Sequence, residues 1–185
     1  MIRHVTLLAL EQMLMSSAAI PLEMLEAMRA RLRLGRQPGS CFDVEIVSQT
    51  LEATTVLGGF PVFPQRSLEQ LPATDLIIVP ALWRNPKPII ARYGDTVSWL
   101  SEQYHRGASL FAVGTGVCLL AEAGILDGKP ATTHWHYLDT FARDYPKVNL
   151  QRKHLLTQAD RIFCAASVNS GADMMIRSVA GSCSR

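Results

Sequence analysis

Charge is scarce in this sequence. Charged side chains make up 18% of its 185 residues, below the quarter usual for a soluble domain. Low charge beside a 48% hydrophobic content leaves two readings open: extra surface buried in an oligomer, or a compact monomer with a large core. Imbalance is scarce too. The 18 basic and 16 acidic residues leave a net charge of +2, without the clustered basic excess of a nucleic-acid binder. The nearest approach is Arg29, Arg31, Arg33 and Arg36. These run off the end of a predicted helix, where cations favour the C-terminal dipole, so they are read as a solvated helix end rather than a phosphate site. The four cysteines, Cys41, Cys118, Cys164 and Cys183, are far apart and form no C-x-x-C pair. That spacing excludes a metal-type cluster and leaves reduced thiols in a cytoplasmic protein as the expectation. No apolar run approaches the roughly 20 residues that cross a bilayer. The first apolar run is interrupted by Glu11 and Gln12 with no small-residue cleavage site after it, so it is read as a strand rather than a signal peptide. Internal repeats and low-complexity segments are absent.

What is present is alternation. Residues 2–10 (IRHVTLLAL) are nearly all apolar, as in a parallel strand covered on both faces. A helix is predicted over 18–32, with Leu25, Met28 and Leu32 on one face and Pro21 near its start, where proline is tolerated. Gly35 to Ser40 is a polar loop. Further strands are expected at 43–48, 75–80 and 109–113, and a late one at 161–165. Residues 51–65, with Gly58, Gly59, Pro61 and Pro64, are turns and short extended pieces. Asn85, Pro86 and Pro88 mark a loop. Asp95 is placed as the cap of a helix that Gly107 ends. Helices are also expected at 116–123, closed by Gly124, at 135–144, and at 171–180, with a turn at Asp127-Gly128. Strands alternating with helices predict one α/β domain: a parallel sheet with helices on both faces. Ligands in such sheets sit at the carboxyl ends of strands, which directs attention to the turns after 75–80 and 109–113.

The second of these turns reads F-A-V-G-T-G-V-C-L-L at 111–120. A strand ends, the chain turns through two glycines, and a helix begins. Such an elbow lifts one residue above the sheet edge beside a helix N-terminus, which favours an anion or an activated nucleophile. The lifted residue is Gly114, which has no side chain. Thr115 is read as a helix cap rather than a nucleophile. Cys118, one turn into the helix, is read as a buried, inert core thiol. His134-Trp135-His136 invites a metal reading, but neighbouring side chains point different ways and no third ligand is evident. His134 is therefore read as a helix-start histidine bonded to a neighbouring strand, and neither a metal nor a cofactor is expected.

The stretch A-V-G-T-G-V-C-L-L-A-E-A-G-I-L-D-G-K-P-A-T-T-H-W at 112–135 resembles a signature of AraC-type transcription regulators whose N-terminal domain is similar to PfpI peptidases and class I glutamine amidotransferases. Ala131 to Trp135 carry the specific part of the likeness. P-L-E-M-L at 21–25, D-L-I-I-V-P at 75–80 and S-V-N-S-G-A-D-M-M at 167–175 extend it along nearly the whole chain. The resemblance implies a flavodoxin-like fold. It aligns the family's nucleophilic cysteine with Gly114 and the family's acidic residue roughly with Ser17, with Glu11 and Glu23 nearby. It places Ala81 where a glycine often follows the strand, and retains His134.

A histidine without its thiol cannot run covalent catalysis. The resemblance therefore implies a non-catalytic sensor and dimerisation domain that takes a small-molecule effector, of the amine or amino-acid kind sensed by such regulators. Gly114, Thr115, Gly116, His134, Trp135, Ala81, Trp83 and Ser17 are the expected ligand-binding residues, with the two tryptophans as apolar walls. It also implies a homodimer in the cytoplasm, off the membrane, that reaches DNA only through a C-terminal helix-turn-helix domain beyond residue 185. Two alternatives stay open: a PfpI-like hydrolase, hydratase or isomerase of a small amide or carbonyl compound, and a structural subunit paired with a partner chain.

Overall fold

A computed structural model of the chain describes residues 2–34, 42–71, 73–173 and 175. The predicted loop 35–40, Cys41, Cys183, Arg36, and the end of the predicted last helix lie outside these residues. Among the described residues the elements follow one another as β1 (His4–Leu8), α1 (Met15–Leu34), β2 (Asp43–Ser48), β3 (Thr54–Thr55), β4 (Pro61–Val62), β5 (Arg66–Ser67), β6 (Leu76–Val79), α2 (Lys87–Ile90), α3 (Gly94–His105), β7 (Ser109–Val113), α4 (Val117–Glu122), β8 (Pro130–Ala131), α5 (Leu138–Asp144), β9 (Asn149–Leu150), β10 (Leu156–Ala159) and β11 (Ile162–Ala165). Residues 168–173 are again helical.

Seven strands make one sheet in the order β10-β11-β7-β6-β1-β2-β5. All its pairings are parallel except the hairpin of β10 on β11. The apolar runs of β6 (LIIV) and β7 (SLFAV) occupy central places because both faces are covered. Leu8, Ile77, Ile78 and Leu110 are fully enclosed, each contributing about 1.5–3 kcal/mol of burial. The chain leaves β1 toward β2 on one side and returns through β6 on the other. The order thus reverses between β1 and β6, and the crevice at their carboxyl ends is where such sheets bind ligands.

Several predicted details change. Helix α1 begins at Met15, so Pro21 lies inside it. The predicted loop at 85–88 contains α2. Asp95 is not at the cap position of α3, which Tyr93 occupies without a side-chain capping bond; Asp95 sits in the first turn, where a carboxylate still favours the helix dipole. Gly107 (φ +111°) and Gly124 (φ +71°) do end their helices in the left-handed conformation that glycine allows. Strands β8, β9 and β10 have no counterpart in the predicted pattern.

Candidate functional site

Strand β7 delivers Gly114 to the carboxyl edge of the sheet at φ +54°. A side chain here costs about 1–2 kcal/mol of backbone strain. Gly114 to Gly116 make one tight 3-10 turn that continues into α4. The two glycines serve different ends. A Cβ on Gly116 would stand 2.3 Å from the Pro80 carbonyl oxygen and 2.9 Å from that of Val79, so only glycine lets α4 start this close to the end of β6. A Cβ on Gly114 would meet the Ala81 methyl at 3.3 Å and the His134 Cβ at 3.8 Å. Gly114, Ala81 and His134 thus meet here from three separate segments.

The hydroxyls around the turn face inward. Thr115 does not cap the helix. Its Oγ1 accepts the Leu82 N–H at 2.9 Å and donates to the Leu82 carbonyl at 2.5 Å, stapling the elbow to the loop after β6. Ser17 is fully buried; its Oγ accepts the Ala81 N–H at 2.9 Å and donates to the Leu14 carbonyl at 2.6 Å. Thr133 donates to the Gly114 carbonyl at 2.9 Å. The loop after β1 joins the same assembly, since Leu14 donates to the Ala81 carbonyl and Trp83 to that of Gln12. Ser17 therefore fixes Ala81, the residue where a glycine was expected. The nearby carboxylates take other roles: Glu11 is paired with Arg92 and Glu23 is exposed.

The rim is aromatic and open. Trp135 is 77% exposed and Trp83 47%, with the Arg84 guanidinium 5.6 Å from the Trp83 ring centre. Neither is an enclosing wall. His134 opens the 3-10 turn Trp135–Tyr137, yet its ring does not bond a neighbouring strand. Its Nδ1 meets the Nδ1 of His136 within hydrogen-bond distance, the ring centres 4.6 Å apart. Burial, and then the charge of His136, lower the His134 pKa. Neutral imidazole is thus favoured at neutral pH. The sequence pattern did not mark Thr133, and it marked His136 only within the metal reading set aside above, because each acts through a contact that only this turn creates.

Neither described thiol is available. Cys118 is enclosed inside α4, and burial pushes its pKa far above the ordinary range. Cys164 is raised by burial to about 12. A depression of about 580 Å³ lies elsewhere, lined by Lys87, Glu122, Asp144 and Tyr145 among others. There Lys87 holds Asp144 at 2.9 Å and keeps its carboxyl below the usual range. Nothing in the sequence pattern marked this cluster, and it contains none of the predicted site residues.

The chain belongs to the DJ-1/PfpI family, which matches residues 3–179. It is 34% identical over 122 residues to the HTH-type transcriptional regulator CdhR of Pseudomonas aeruginosa, covering 66% of this chain and 35% of CdhR. It is 27% identical over 134 residues to isonitrile hydratase of Pseudomonas putida, covering 72% of this chain and 56% of that enzyme. In three dimensions it is similar to an AraC family transcriptional regulator from Pseudomonas putida, with a TM-score of 0.77 at 21% identity over 96% of this chain and 90% of that one. The fold is the flavodoxin-like α/β arrangement of this family. The matched part of the chain spans about a third of the length of CdhR.

Proposed function

We propose that this DJ-1/PfpI domain is the non-catalytic sensing and dimerisation part of an AraC-family transcription regulator, holding a small-molecule effector beside the elbow at 114–116. The observation that carries the reading is the bare elbow: Gly114 stands at φ +54°, aligned by resemblance with the family's nucleophilic cysteine. Covalent catalysis loses its main path without that thiol, and Cys118 is too enclosed to replace it. In this reading Ser17, Thr115 and Gly116 fix the backbone around the site, while Ala81, Gly114, His134, Trp83 and Trp135 face the effector. DNA is contacted through a separate C-terminal domain, and the protein works as a cytoplasmic homodimer. The kinship with transcriptional regulators supports the regulatory role.

The test compares the parent with Gly114→Cys in a thiol-reactivity assay with peptide mapping. The parent is expected to show no labelling in the elbow peptide. The variant is expected to gain a reactive thiol there, because a cysteine at a helix start has a lowered pKa. An effector screen by thermal shift, repeated on Trp135→Ala and Trp83→Ala, checks the binding half; hits indifferent to both variants place the effector elsewhere. The second reading, a PfpI-like enzyme acting on a small amide or carbonyl compound, draws on the likeness to isonitrile hydratase. Turnover of an isonitrile by the parent, abolished by Thr115→Val or Cys118→Ala, would establish it and remove the first.

A further inference from the structure

The sequence His134-Trp135-His136 was expected to scatter its rings, and the fold does the opposite. His134 has extended backbone (φ −62°, ψ 138°) and the next three residues close a 3-10 turn. That combination brings side chains two positions apart onto one side. The two Nδ1 atoms face each other within hydrogen-bond distance, with the rings inclined at 66°. Two imidazole lone pairs aimed at one point repel unless a proton or a cation lies between them. We propose that His134 and His136 form a two-imidazole chelate for a first-row transition-metal ion of the copper, nickel or zinc type on the rim of the elbow.

Ligand chemistry selects this class of ion. Imidazole nitrogen suits copper, nickel and zinc, whereas calcium and magnesium take oxygen ligands. Metal–nitrogen bonds of about 2.0–2.1 Å set the two nitrogens roughly 3 Å apart, so the rings part slightly as the ion enters. His136 is exposed and free to make that swing. Among the described residues no group of three His, Cys, Asp or Glu side chains converges. The protein therefore supplies two ligands, and water or a small nitrogen or oxygen ligand completes the shell. The His134 Cβ lies 3.8 Å from where a Gly114 Cβ would stand, so the base of one ligand side chain adjoins the elbow. The site stands whether or not the elbow holds an effector.

Trp135 provides a built-in reporter. Its ring centre is 5.6 Å from that of His134 and 5.9 Å from that of His136, within range of quenching by a paramagnetic Cu²⁺ ion. The experiment is equilibrium dialysis of the metal-free protein against Cu²⁺ and, separately, Zn²⁺, with Trp fluorescence and Cu²⁺ EPR on the same samples. One ion per chain is expected, with an EPR signature of two imidazole nitrogens. His136→Gln, which changes an exposed side chain, is expected to bind roughly tenfold more weakly or worse, as is His134→Gln. His105→Gln is the control, since that ring is exposed and bonded to the Ser101 carbonyl, and it is expected to bind like the parent. Trp135→Phe is expected to keep the ion and lose most of the quenching. No bound metal in the parent overturns the proposal and leaves the pair sharing a proton. Undiminished binding by His136→Gln overturns it as well, by placing the ion elsewhere.

Discussion

The two ends of the central sheet are held together by different means. At the carboxyl end, around Gly114, the fastening is neutral and buried: two bonds from Thr115 to Leu82, two from Ser17 to Ala81 and Leu14, and a glycine contact under Pro80. At the amino end one buried bond, from Thr6 to Thr74 at 3.0 Å, is joined by ionic and half-exposed contacts. There His4 contacts Glu45 at 3.1 Å and Thr74 at 3.0 Å, Arg66 reaches Glu45 at 2.8 Å, and Asp75 accepts the N–H groups of Arg3 and His4. Buried neutral bonds fix geometry because breaking one leaves a group with no water to turn to. Ion pairs near the surface exchange protein partners for solvent at little cost. The greater share of buried neutral bonds thus lies at the end where the elbow is.

Substitutions should expose that contrast, beginning with the severest. Gly116→Ala forces a methyl group against two backbone carbonyls and is expected to cost about 3 kcal/mol or more, lowering Tm by roughly 6–12 °C for a chain of this size. Thermal unfolding followed by circular dichroism checks this; a variant as stable as the parent would show that α4 shifts freely away from β6. Thr115→Val removes both bonds to Leu82 while keeping the shape. It should lose about 2 kcal/mol, and Thr115→Ser should recover most of it in urea unfolding. Comparable losses in both variants would mean that the methyl group, not the hydroxyl, holds the elbow.

A smaller effect is tied to pH. Burial, then His136, hold the His134 pKa below its ordinary 6.5, so the unfolded chain takes up a proton at this position before the folded one does. The stability linked to His134 is therefore complete above pH 6.5 and is lost as pH falls through the lowered folded value. His134→Gln should flatten the urea-midpoint profile between pH 7 and 5, and an unchanged slope would assign it to other groups. The smallest effect belongs to the amino end, where Glu45→Gln should change stability by less than about 1 kcal/mol. A loss as large as that of Thr115→Val would erase the contrast between the two ends.

The parts of this architecture written in apolar runs were legible from residues alone. Strands β1, β6 and β7 carry continuous hydrophobic stretches, and the G-T-G turn between β7 and α4 needs no distant information. The strand β10 (LTQA) is short and half polar, so its place comes from pairing with β11 rather than from its own pattern. Helix α2 was hidden by its prolines, since Pro86 and Pro88 suit a helix start as well as a loop. In the candidate site the residues were legible but their jobs were not. Thr115 finds its partner 33 residues away, and no local rule distinguishes a helix cap from such a staple. The meeting of His134 and His136 depends on a single turn of 3-10 helix, which the flanking sequence does not announce.

The margins of the sheet have a consequence for how the protein behaves in a crowded solution. One outer strand, β5, is only two residues long, and the other, β10, is a four-residue strand turned antiparallel to its neighbour. A long, flat outer strand offers an unsatisfied row of N–H and C=O groups on which another chain can template itself, and short margins remove most of that row. Strand-by-strand growth into fibres is thus discouraged at both sides of the molecule.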